Sequence, residues 1–487
     1  MHTLSAIEIH EKFVQGEISA VEIATHFLMR IQKIDQQVGA FLEIFEKDIL
    51  YQASELDAKR VRKEPLGALA GVPIAVKDNI NVTGYETTCA SKILKGYISP
   101  YDATVIRRIK EEDGLIFGKL NMDEFAMGSS CEYSAFKQTK NPWDLSLVPG
   151  GSSGGAAVAI ASDMVSITLG SDTGGSIRLP ASFCGISAFK GTYGRVSRNG
   201  LVALGSSLDQ IGPLAHSCED LERMMEVIGV HCEKDSTSIS GANFTPIKFE
   251  ERYKNGFTVG VPWQFLEGLQ ADSRAIFDRF IDHLKTLGGK VVEVDLSILN
   301  YAIAVYYIIG TAEFSTNLSR YDGIRYGLRS ERAATLDDVY DFSREDGFGD
   351  EPKRRILLGT FVLSSGYQEA YFKKAQKVRQ IIINKFADAF SKCDFVALPV
   401  STGGAFPFGQ VKDPLQMYLE DIYTVGANLA GVPAMSLPAG NLPDGRPVGV
   451  QLMARQRQDA ELMSVGKAFQ KLTSYHTARP KIAREGT

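Results

Sequence analysis

The chain between Pro149 and Pro180 has the sequence PGGSSGGAAVAIASDMVSITLGSDTGGSIRLP. A cluster of serine and glycine stands at each end of this stretch, and an apolar segment joins the two clusters. Glycine lets the backbone approach a ligand closely and turn its N–H groups inward, and serine supplies a hydroxyl that becomes a nucleophile beside a base. The apolar segment predicts a buried helix followed by a strand over 165–169. The stretch therefore predicts a catalytic surface built from one continuous piece of chain.

Two other interpretations of the serine-glycine clusters fit less well. A flexible linker has a similar composition, but the segment between the clusters is too apolar for a linker. A Walker phosphate-binding loop needs Gly-Lys-Ser/Thr after its glycines, and a dinucleotide-binding loop needs G-x-G-x-x-G at the start of a helix. Neither pattern is present in the clusters. Nucleophile chemistry is the better interpretation.

A serine nucleophile needs a proton acceptor, and the seven histidines of the chain stand in no recognisable motif. The better candidate is Lys77, in the segment GVPIAVKDN over 71–79. Apolar residues alternate before it as in a strand, which places Lys77 where the strand opens into a loop. A lysine in such a place is ordinarily solvated. Because its reference pKa is about 10.4, burial must lower that pKa by several units before the amine acts as a base near neutral pH.

These motifs resemble the amidase signature family. The resemblance covers both serine-glycine clusters and the Lys77 segment, and matching motifs continue in order from about Leu69 to Met453. It implies that Ser176 is the nucleophile and forms an acyl ester, and that Ser152 relays the proton to Lys77. Through this relay the single lysine nitrogen serves first as a base and later as the proton source for departing ammonia. The resemblance also implies an oxyanion hole formed by the backbone N–H groups of Thr173, Gly174, Gly175 and Ser176.

Two positions depart from the usual pattern of that family. Leu179 stands where glutamine is usual, and Gly191 stands where proline is common. Neither is one of the three implied catalytic side chains. Leu179 flanks the nucleophile cluster, so its effect is expected on the hydrogen bonds around that cluster.

Within the family, the chain most resembles subunits that release ammonia from glutamine for tRNA-dependent amidation. The motifs that carry this resemblance are NMDEFAMGSS over 121–130, NLSRYDGIRYG over 317–327, KRRILLGT over 353–360 and ANLAGVP over 427–433. The resemblance implies a heterotrimer, with a kinase and tRNA-binding subunit that uses ATP and Mg²⁺, and a small subunit that wraps around this chain. It implies no cofactor in this chain. Whether glutamyl-tRNA or aspartyl-tRNA is amidated stays open.

The substrate implied by this resemblance is free glutamine, which carries an α-ammonium and an α-carboxylate. Its site therefore needs one fixed acidic side chain and one fixed basic side chain. The resemblance implies the following substrate-binding residues: Asp421 for the ammonium, Arg355 for the carboxylate, Tyr307 beside them, and the backbone around Gly128 and Ser129. Arg354 and Tyr306 compete for the inward positions, and the sequence leaves both choices open. A preference for glutamine over asparagine is also open.

The composition agrees with a globular enzyme, since 44% of the 487 residues are apolar and 23% are charged. Without linkers or repeats, we expect a single amidase domain over 1–487, with a helical region at about 1–65 packed on the catalytic core. The sequence has no signal-peptide pattern, no apolar run long enough for a membrane span, and no C-x-x-C pair. We therefore expect a cytoplasmic protein without a disulfide framework or a metal. The net charge of −5 argues against this chain as the main tRNA binder.

The periodicity predicts an α/β protein, and the resemblance implies a large twisted mixed sheet covered by helices on both faces. A capping box over Ser19–Glu22 predicts a helix through about Ile34. Further helices are predicted at 46–63, 272–287 and 366–391, and from a cap at Asp102 to Gly114. Strands are predicted at 115–118, 257–261, 290–295, 395–399, 434–438 and 447–453, and the β-α-β alternation over 257–295 predicts parallel pairing.

Three functional hypotheses from different classes remain. The first is a glutamine-using amidotransferase subunit. The second is a stand-alone amidase that acts on another small or apolar amide, for which a hydrophobic channel is expected. The third is a catalytically silent scaffold, which the presence of Lys77, Ser152 and Ser176 disfavours. The motifs over 121–130 and 353–360 favour the first hypothesis over the second.

Overall fold

Eleven strands form one mixed sheet in the computed structural model, which describes residues 1–241 and 243–485. In chain order they are β1 (Phe41–Ile44), β2 (Pro73–Lys77), β3 (Leu115–Leu120), β4 (Ile167–Asp172), β5 (Ser187–Lys190), β6 (Gln210–Ala215), β7 (Phe257–Val261), β8 (Gly289–Glu293), β9 (Phe395–Pro399), β10 (Ala434–Asn441) and β11 (Pro447–Ala454). Across the sheet their order is β1-β3-β2-β4-β6-β5-β10-β11-β9-β7-β8. β2 pairs in parallel with β3 and β4, and β7 with β8 and β9, whereas the other pairs are antiparallel. The predicted α/β class with a large mixed sheet is confirmed.

Helices connect most of these strands. The α-helices are α1 (Ala6–Gln15), α2 (Ala20–Val38), α3 (Glu46–Val61), α4 (Thr104–Glu111), α5 (Gly154–Ala161), α6 (Arg178–Cys184), α7 (Cys218–Ile228), α8 (Phe249–Arg252), α9 (Ala271–Thr286), α10 (Ala302–Leu318), α11 (Leu336–Gly347), α12 (Asp350–Leu363), α13 (Lys374–Phe390), α14 (Pro414–Leu419), α15 (Val425–Ala430), α16 (Asp459–Leu472) and α17 (Lys481–Glu485). A π-helical turn over Glu369–Lys373 leads into α13.

Local signals predicted several of these elements well. The Ser19 hydroxyl accepts a hydrogen bond from the Glu22 N–H at 3.1 Å, and the Glu22 carboxylate accepts one from the Ser19 N–H at 2.8 Å, so the predicted capping box is confirmed. The helix it begins, α2, runs to Val38 and so exceeds the predicted length. β7, α9 and β8 form the predicted β-α-β unit with parallel strands.

Two predictions of local structure were wrong. Asp102 does not cap α4, because its carboxylate instead accepts hydrogen bonds from the Thr83 N–H and from the Lys110 ammonium, both at 2.8 Å. Ala103 takes the capping position, without a side-chain hydrogen bond. The strand predicted at 165–169 begins later, as β4, and therefore includes Ser171 and Asp172.

The stretch that contains both serine-glycine clusters folds as α5, β4 and α6, and every residue from Pro149 to Pro180 is buried. Small residues are required here because α5 packs directly on other backbone segments. A Cβ at Gly155 would lie 2.5 Å from the Asn121 carbonyl oxygen and 2.6 Å from the Ala40 carbonyl oxygen. β4 lies beside β2, with Ile74 opposite Ile167 and Val76 opposite Leu169. This register brings the ends of both strands to the same edge of the sheet.

The N-terminal helices pack on this central part of the chain. One apolar cluster contains Phe13, Phe27 and Ile31 from the N-terminal helices together with Val158 and Ile160 from α5. The Phe27 and Phe117 rings meet edge to face, with their centroids 6.2 Å apart. Among the residues that the structure describes, no helix is long and apolar enough to cross a membrane.

Candidate active site

Lys77 is the last residue of β2, and its amine lies completely inside the protein. Its Nζ donates hydrogen bonds to the Ser152 Oγ at 2.7 Å and to the Ser171 Oγ at 2.9 Å. The Asn79 amide also donates to the Ser171 Oγ, at 2.9 Å. Two serines thus accept hydrogen bonds from the amine, and Asn79 holds one of them, although a lysine at an ordinary strand end would be solvated.

Burial lowers the pKa of Lys77 from 10.5 to about 8, because an ammonium loses its hydration inside the protein. The negative charge of Asp123 acts in the opposite direction, and so do smaller contributions from Cys131 and Asp172. The amine is therefore close to the balance between its charged and neutral forms at physiological pH. This is the condition under which a lysine both accepts and returns a proton.

Ser176 lies at the end of the second cluster, just before α6. Its side chain is 8% exposed, whereas Ser152 and Lys77 are fully buried. The Ser153 N–H donates to the Ser176 carbonyl oxygen at 3.0 Å, which ties the two clusters together. The peptide bond between Gly151 and Ser152 is cis. Of these three side chains, only Ser176 is partly exposed.

Several backbone N–H groups of the loop over 173–176 have no hydrogen-bond partner among the described residues. The amides of Thr173, Gly174 and Ser176 make no hydrogen bond to residues 1–241 or 243–485. The Gly175 amide differs, since it donates to the Asp172 carboxylate at 2.9 Å. In this structure the available donors for an oxyanion are therefore three of the four predicted amides.

Both glycines of this loop are required by close packing. A Cβ at Gly174 would lie 2.6 Å from the Tyr306 ring, and one at Gly175 would lie 2.4 Å from the Thr424 hydroxyl. Gly175 also has a φ of +138°, which side chains disfavour. Tyr306, one of the two competing tyrosines, therefore covers the loop at Gly174.

Asp172 and Arg178 form a buried ion pair beneath the loop. The guanidinium donates to both carboxylate oxygens at 3.0 Å, and Asn428 donates to the same carboxylate at 2.8 Å. Burial alone would raise the pKa of Asp172, but the charge and hydrogen bonds of Arg178 outweigh it and lower the pKa to about 2. Asp172 is thus a permanent anion that holds the Gly175 amide in place.

Asp421 lies at the centre of a second polar group. Its carboxylate accepts hydrogen bonds from the Ser129 hydroxyl at 2.9 Å and from the Tyr307 hydroxyl at 3.2 Å. Burial raises the pKa of Asp421 to about 7, although the hydrogen bond from Ser129 and the charge of Arg355 oppose the shift. The Asp421 side chain is therefore buried, and Tyr307 rather than Tyr306 donates a hydrogen bond to it.

Arg355 completes this group from α12. Its side chain is 4% exposed, whereas that of Arg354 is 47% exposed, so Arg355 is the one that points inward. The guanidinium lies 5.2 Å from the ring centres of both Tyr307 and Tyr418. Its Nε donates to the Glu351 carboxylate at 2.7 Å, four residues earlier in the same helix.

Gly128 and Ser129 belong to a loop that Asp123 organises. The Asp123 carboxylate accepts from the Cys131 N–H at 2.9 Å, and a Cβ at Gly128 would lie 2.4 Å from its carboxyl carbon. The Ser129 carbonyl accepts from the Gly151 N–H at 2.8 Å, one residue before Ser152. The loop therefore links the Asp421 group directly to the first serine-glycine cluster.

Leu179, one of the two departures from the family pattern, lies in an apolar cluster with Val148, Phe183 and Phe406. The other departure, Gly191, lies against Arg195, whose Cβ would be 3.1 Å from a Cβ at that position. Leu179, the second residue of α6, thus contributes apolar packing.

Some residues of the site were not singled out from the sequence. Glu351 stands four residues before Arg355 in one helix, and this spacing is a signal from which the ion pair could have been predicted. Ser171 and Asn79 lie within the quoted motifs, but nothing local marks them as partners of Lys77. Asp123 likewise lies within the quoted motif over 121–130, whereas Thr424 carries no local signal, because its contact with Gly174 joins segments far apart in the chain.

Residues 22–463 match the amidase family. The chain belongs to the amidase family. The family resemblance predicted from the motifs is thereby confirmed. Across 490 aligned residues and the full length of both chains, this amidase is 56% identical to the A subunit of glutamyl-tRNA(Gln) amidotransferase from Protochlamydia amoebophila. It is 50% identical to the Chlamydia pneumoniae protein of the same name, over 96% of this chain and 95% of that one.

Solved structures of amidases share the architecture. The A subunit of glutamyl-tRNA(Gln) amidotransferase from Thermotoga maritima is 38% identical, with a TM-score of 0.79 over 98% of this chain and 97% of that chain. A bacterial aryl acylamidase of the amidase signature family has a TM-score of 0.84 over 99% of this chain and 98% of that chain, at 22% identity, and so shares the fold.

Among the residues described for this amidase, no group of three or more His, Cys, Asp or Glu side chains is arranged to hold a metal ion.

Proposed function

We propose that this chain is the glutaminase subunit of a tRNA-dependent amidotransferase and supplies ammonia to a partner subunit. The observation that carries the proposal is that two sets of polar side chains lie near the loop over 173–176. Lys77 and Ser152 are placed for proton transfer, and Asp421 and Arg355 supply a buried acidic and a buried basic side chain. The high identity to the A subunits of glutamyl-tRNA(Gln) amidotransferases supports the same activity.

In the first half of the reaction, the Ser176 Oγ attacks the carbonyl carbon of the glutamine side-chain amide. Ser152 accepts the proton of Ser176 and passes its own proton to the neutral Lys77 amine. The amides of Thr173, Gly174 and Ser176 stabilise the oxyanion. When the C–N bond breaks, Lys77 returns a proton through Ser152, so ammonia leaves and a glutamyl ester on Ser176 remains.

In the second half, water attacks the ester carbonyl carbon while the same relay accepts its proton. The C–O bond to Ser176 breaks, the serine recovers a proton through Ser152, and glutamate leaves. Each half returns Lys77 to its starting state. One lysine therefore serves both halves without a second base.

We propose that Asp421 binds the α-ammonium of glutamine and that Arg355 binds its α-carboxylate, with Tyr307 and Ser129 orienting Asp421. Arg355 suits the carboxylate because its guanidinium donates two parallel hydrogen bonds. Its existing contact with Glu351 uses Nε and leaves other N–H groups for the substrate. A stand-alone amidase for apolar amides would instead need a site without a buried acid and base.

We propose that the chain works as one amidase domain over 1–487 in a heterotrimer, with the region at about 1–65 packed on the core. A kinase and tRNA-binding partner uses ATP and Mg²⁺ to amidate glutamyl-tRNA(Gln), and a small third subunit wraps around this chain. Aspartyl-tRNA(Asn) is the alternative acceptor. A charge of −5 supports leaving tRNA mainly to the partner. We infer a cytoplasmic location because charged tRNA is used there.

The test is ammonia release from glutamine by the chain alone, by the complex, and by the complex with ATP and glutamyl-tRNA. We expect turnover in the complex, stimulated by ATP and charged tRNA, with asparagine and aspartyl-tRNA as parallel arms. The proposal would be contradicted if the rate of glutamine turnover were the same with and without the partner subunits. It would also be contradicted if the chain hydrolysed only bulky apolar amides.

A further inference from the structure

Thr424 connects the Asp421 group to the loop over 173–176. Its side chain is completely buried, and its Oγ1 donates to the Gly174 carbonyl oxygen at 2.6 Å. The same residue folds back on Asp421, since its N–H donates to the Asp421 carbonyl oxygen at 3.0 Å. One threonine therefore contacts both the segment that carries Asp421 and the loop with the unpartnered amides.

The contact with Gly174 fixes the direction of one peptide group. The peptide between Gly174 and Gly175 has its carbonyl held by Thr424 and its N–H held by Asp172 at 2.9 Å. A peptide between two glycines rotates easily when nothing holds it, because neither residue has a Cβ. Rotation of this peptide would break both hydrogen bonds and turn its carbonyl oxygen toward the Asp172 carboxylate, so the neighbouring amides of Gly174 and Ser176 would lose their fixed directions.

The backbone of Thr424 is itself fixed by a hydrogen bond from Arg178. Arg178 donates to the Thr424 carbonyl oxygen at 3.0 Å, and the same guanidinium pairs with Asp172. Arg178 thus supports both groups that hold the Gly174–Gly175 peptide.

We infer that Thr424 is a positioning residue for this reaction, which keeps the oxyanion loop in its productive orientation and ties that orientation to the segment carrying Asp421. The inference rests on the proposed function, because the loop acts on an oxyanion only if Ser176 attacks an amide. Thr424 touches no reacting atom in this scheme and acts through the Gly174–Gly175 peptide.

The test compares Thr424→Val, which keeps the shape and removes the hydroxyl, with Thr424→Ser, which keeps the hydroxyl. Thr316→Val is the matched control, because the Thr316 hydroxyl also donates to a backbone carbonyl, that of Ala312 at 3.0 Å. All variants are assayed for glutaminase kcat and KM in the assembled complex. Thr424→Ala, which also lacks the hydroxyl, replaces the valine variant if the latter does not fold.

We expect Thr424→Val to lower kcat about 10- to 100-fold, the range in which small misplacements of catalytic geometry fall. We expect KM to change by less than about threefold, because Asp421 and Arg355 remain. A loss of kcat without a change in KM indicates a group that stabilises mainly the transition state. Thr424→Ser is expected to recover most of kcat, and Thr316→Val to match the unchanged protein.

Combining Thr424→Val with Asp421→Asn provides the second readout. Residues that act as a unit show non-additive effects, so we expect the double variant to lose less kcat/KM than the product of the single losses. Normal kcat in Thr424→Val, with an active unchanged protein and an inactive Ser176→Ala variant, would overturn this inference and leave the proposed function intact. An unchanged complex that releases no ammonia from glutamine would overturn both.

Discussion

The proposed role of Ser176 as the nucleophile depends on its exposure. Among the proposed catalytic residues Lys77, Ser152 and Ser176, it has the one partly exposed side chain. Ser176→Ala is expected to abolish the acyl ester and to lower glutaminase kcat by more than about 10³-fold, as loss of a nucleophile does in other hydrolases. Ser162→Ala is the matched control, because the Ser162 hydroxyl is buried without a hydrogen bond to described residues. The measurement is the mass of the protein trapped with glutamine, together with ammonia release. A normal burst of ammonia from the variant would contradict the assignment.

Two buried titratable groups set the expected pH dependence. Burial lowers the pKa of Lys77 to about 8 and raises that of Asp421 to about 7. In the proposed mechanism the relay needs neutral Lys77 and ammonium binding needs ionised Asp421, so the active forms of both groups increase as pH rises. We therefore expect kcat/KM for glutamine to rise from about pH 6, to reach about half its maximum slightly above pH 8, and to level off above about pH 9.

An amide without an α-amino group separates the two contributions. With the monoamide of glutaric acid as substrate, kcat/KM is expected to follow Lys77 alone and to show a shallower acid limb than with glutamine. A pH profile that is flat between about pH 6 and 8 for both substrates would contradict the roles of Lys77 and Asp421.

Close packing of α5 is the feature that holds the first serine-glycine cluster in place. Gly155→Ala is expected to destabilise the protein by about 1–3 kcal/mol, because the new Cβ would overlap the Asn121 and Ala40 carbonyl oxygens. In an exposed helix the same change would stabilise by up to about 1 kcal/mol. Gly268→Ala is the control, since apart from its chain neighbours no described residue has an atom within 4 Å of a Cβ there. Denaturant unfolding provides the comparison, and equal stability of both variants would contradict the packing argument.

For the whole chain, we expect the N-terminal helices and the catalytic core to unfold together. Phe27→Ala removes a buried ring from the cluster that joins α2 to α5, and such changes cost about 3–5 kcal/mol. It should lower the temperature of one common transition measured by calorimetry. Met29→Ala, on the same helix but with 58% of the side chain exposed, should leave that transition nearly unchanged. A separate transition for the N-terminal part, with the remainder unaffected, would contradict a single domain.

Local patterns predicted the elements whose determinants are close together in the chain. The capping box of α2 and the β7-α9-β8 unit depend on neighbouring residues, so they were predicted correctly. The prediction for Asp102 failed because the distant Thr83 amide competes for its carboxylate. Helix ends are decided by such competition, which local spacing does not contain.

The amidase family was predictable from sequence because its motifs are short and local, and the proposed nucleophile, relay and base belong to two of these segments. The burial that lowers the pKa of Lys77, the inward direction of Arg355 and the contact of Tyr307 with Asp421 required the folded molecule. Each depends on side chains that the sheet order and helix packing bring together over long distances in the chain. Thr424 and Gly174 are 250 residues apart, and only the completed fold brings that hydroxyl to that carbonyl.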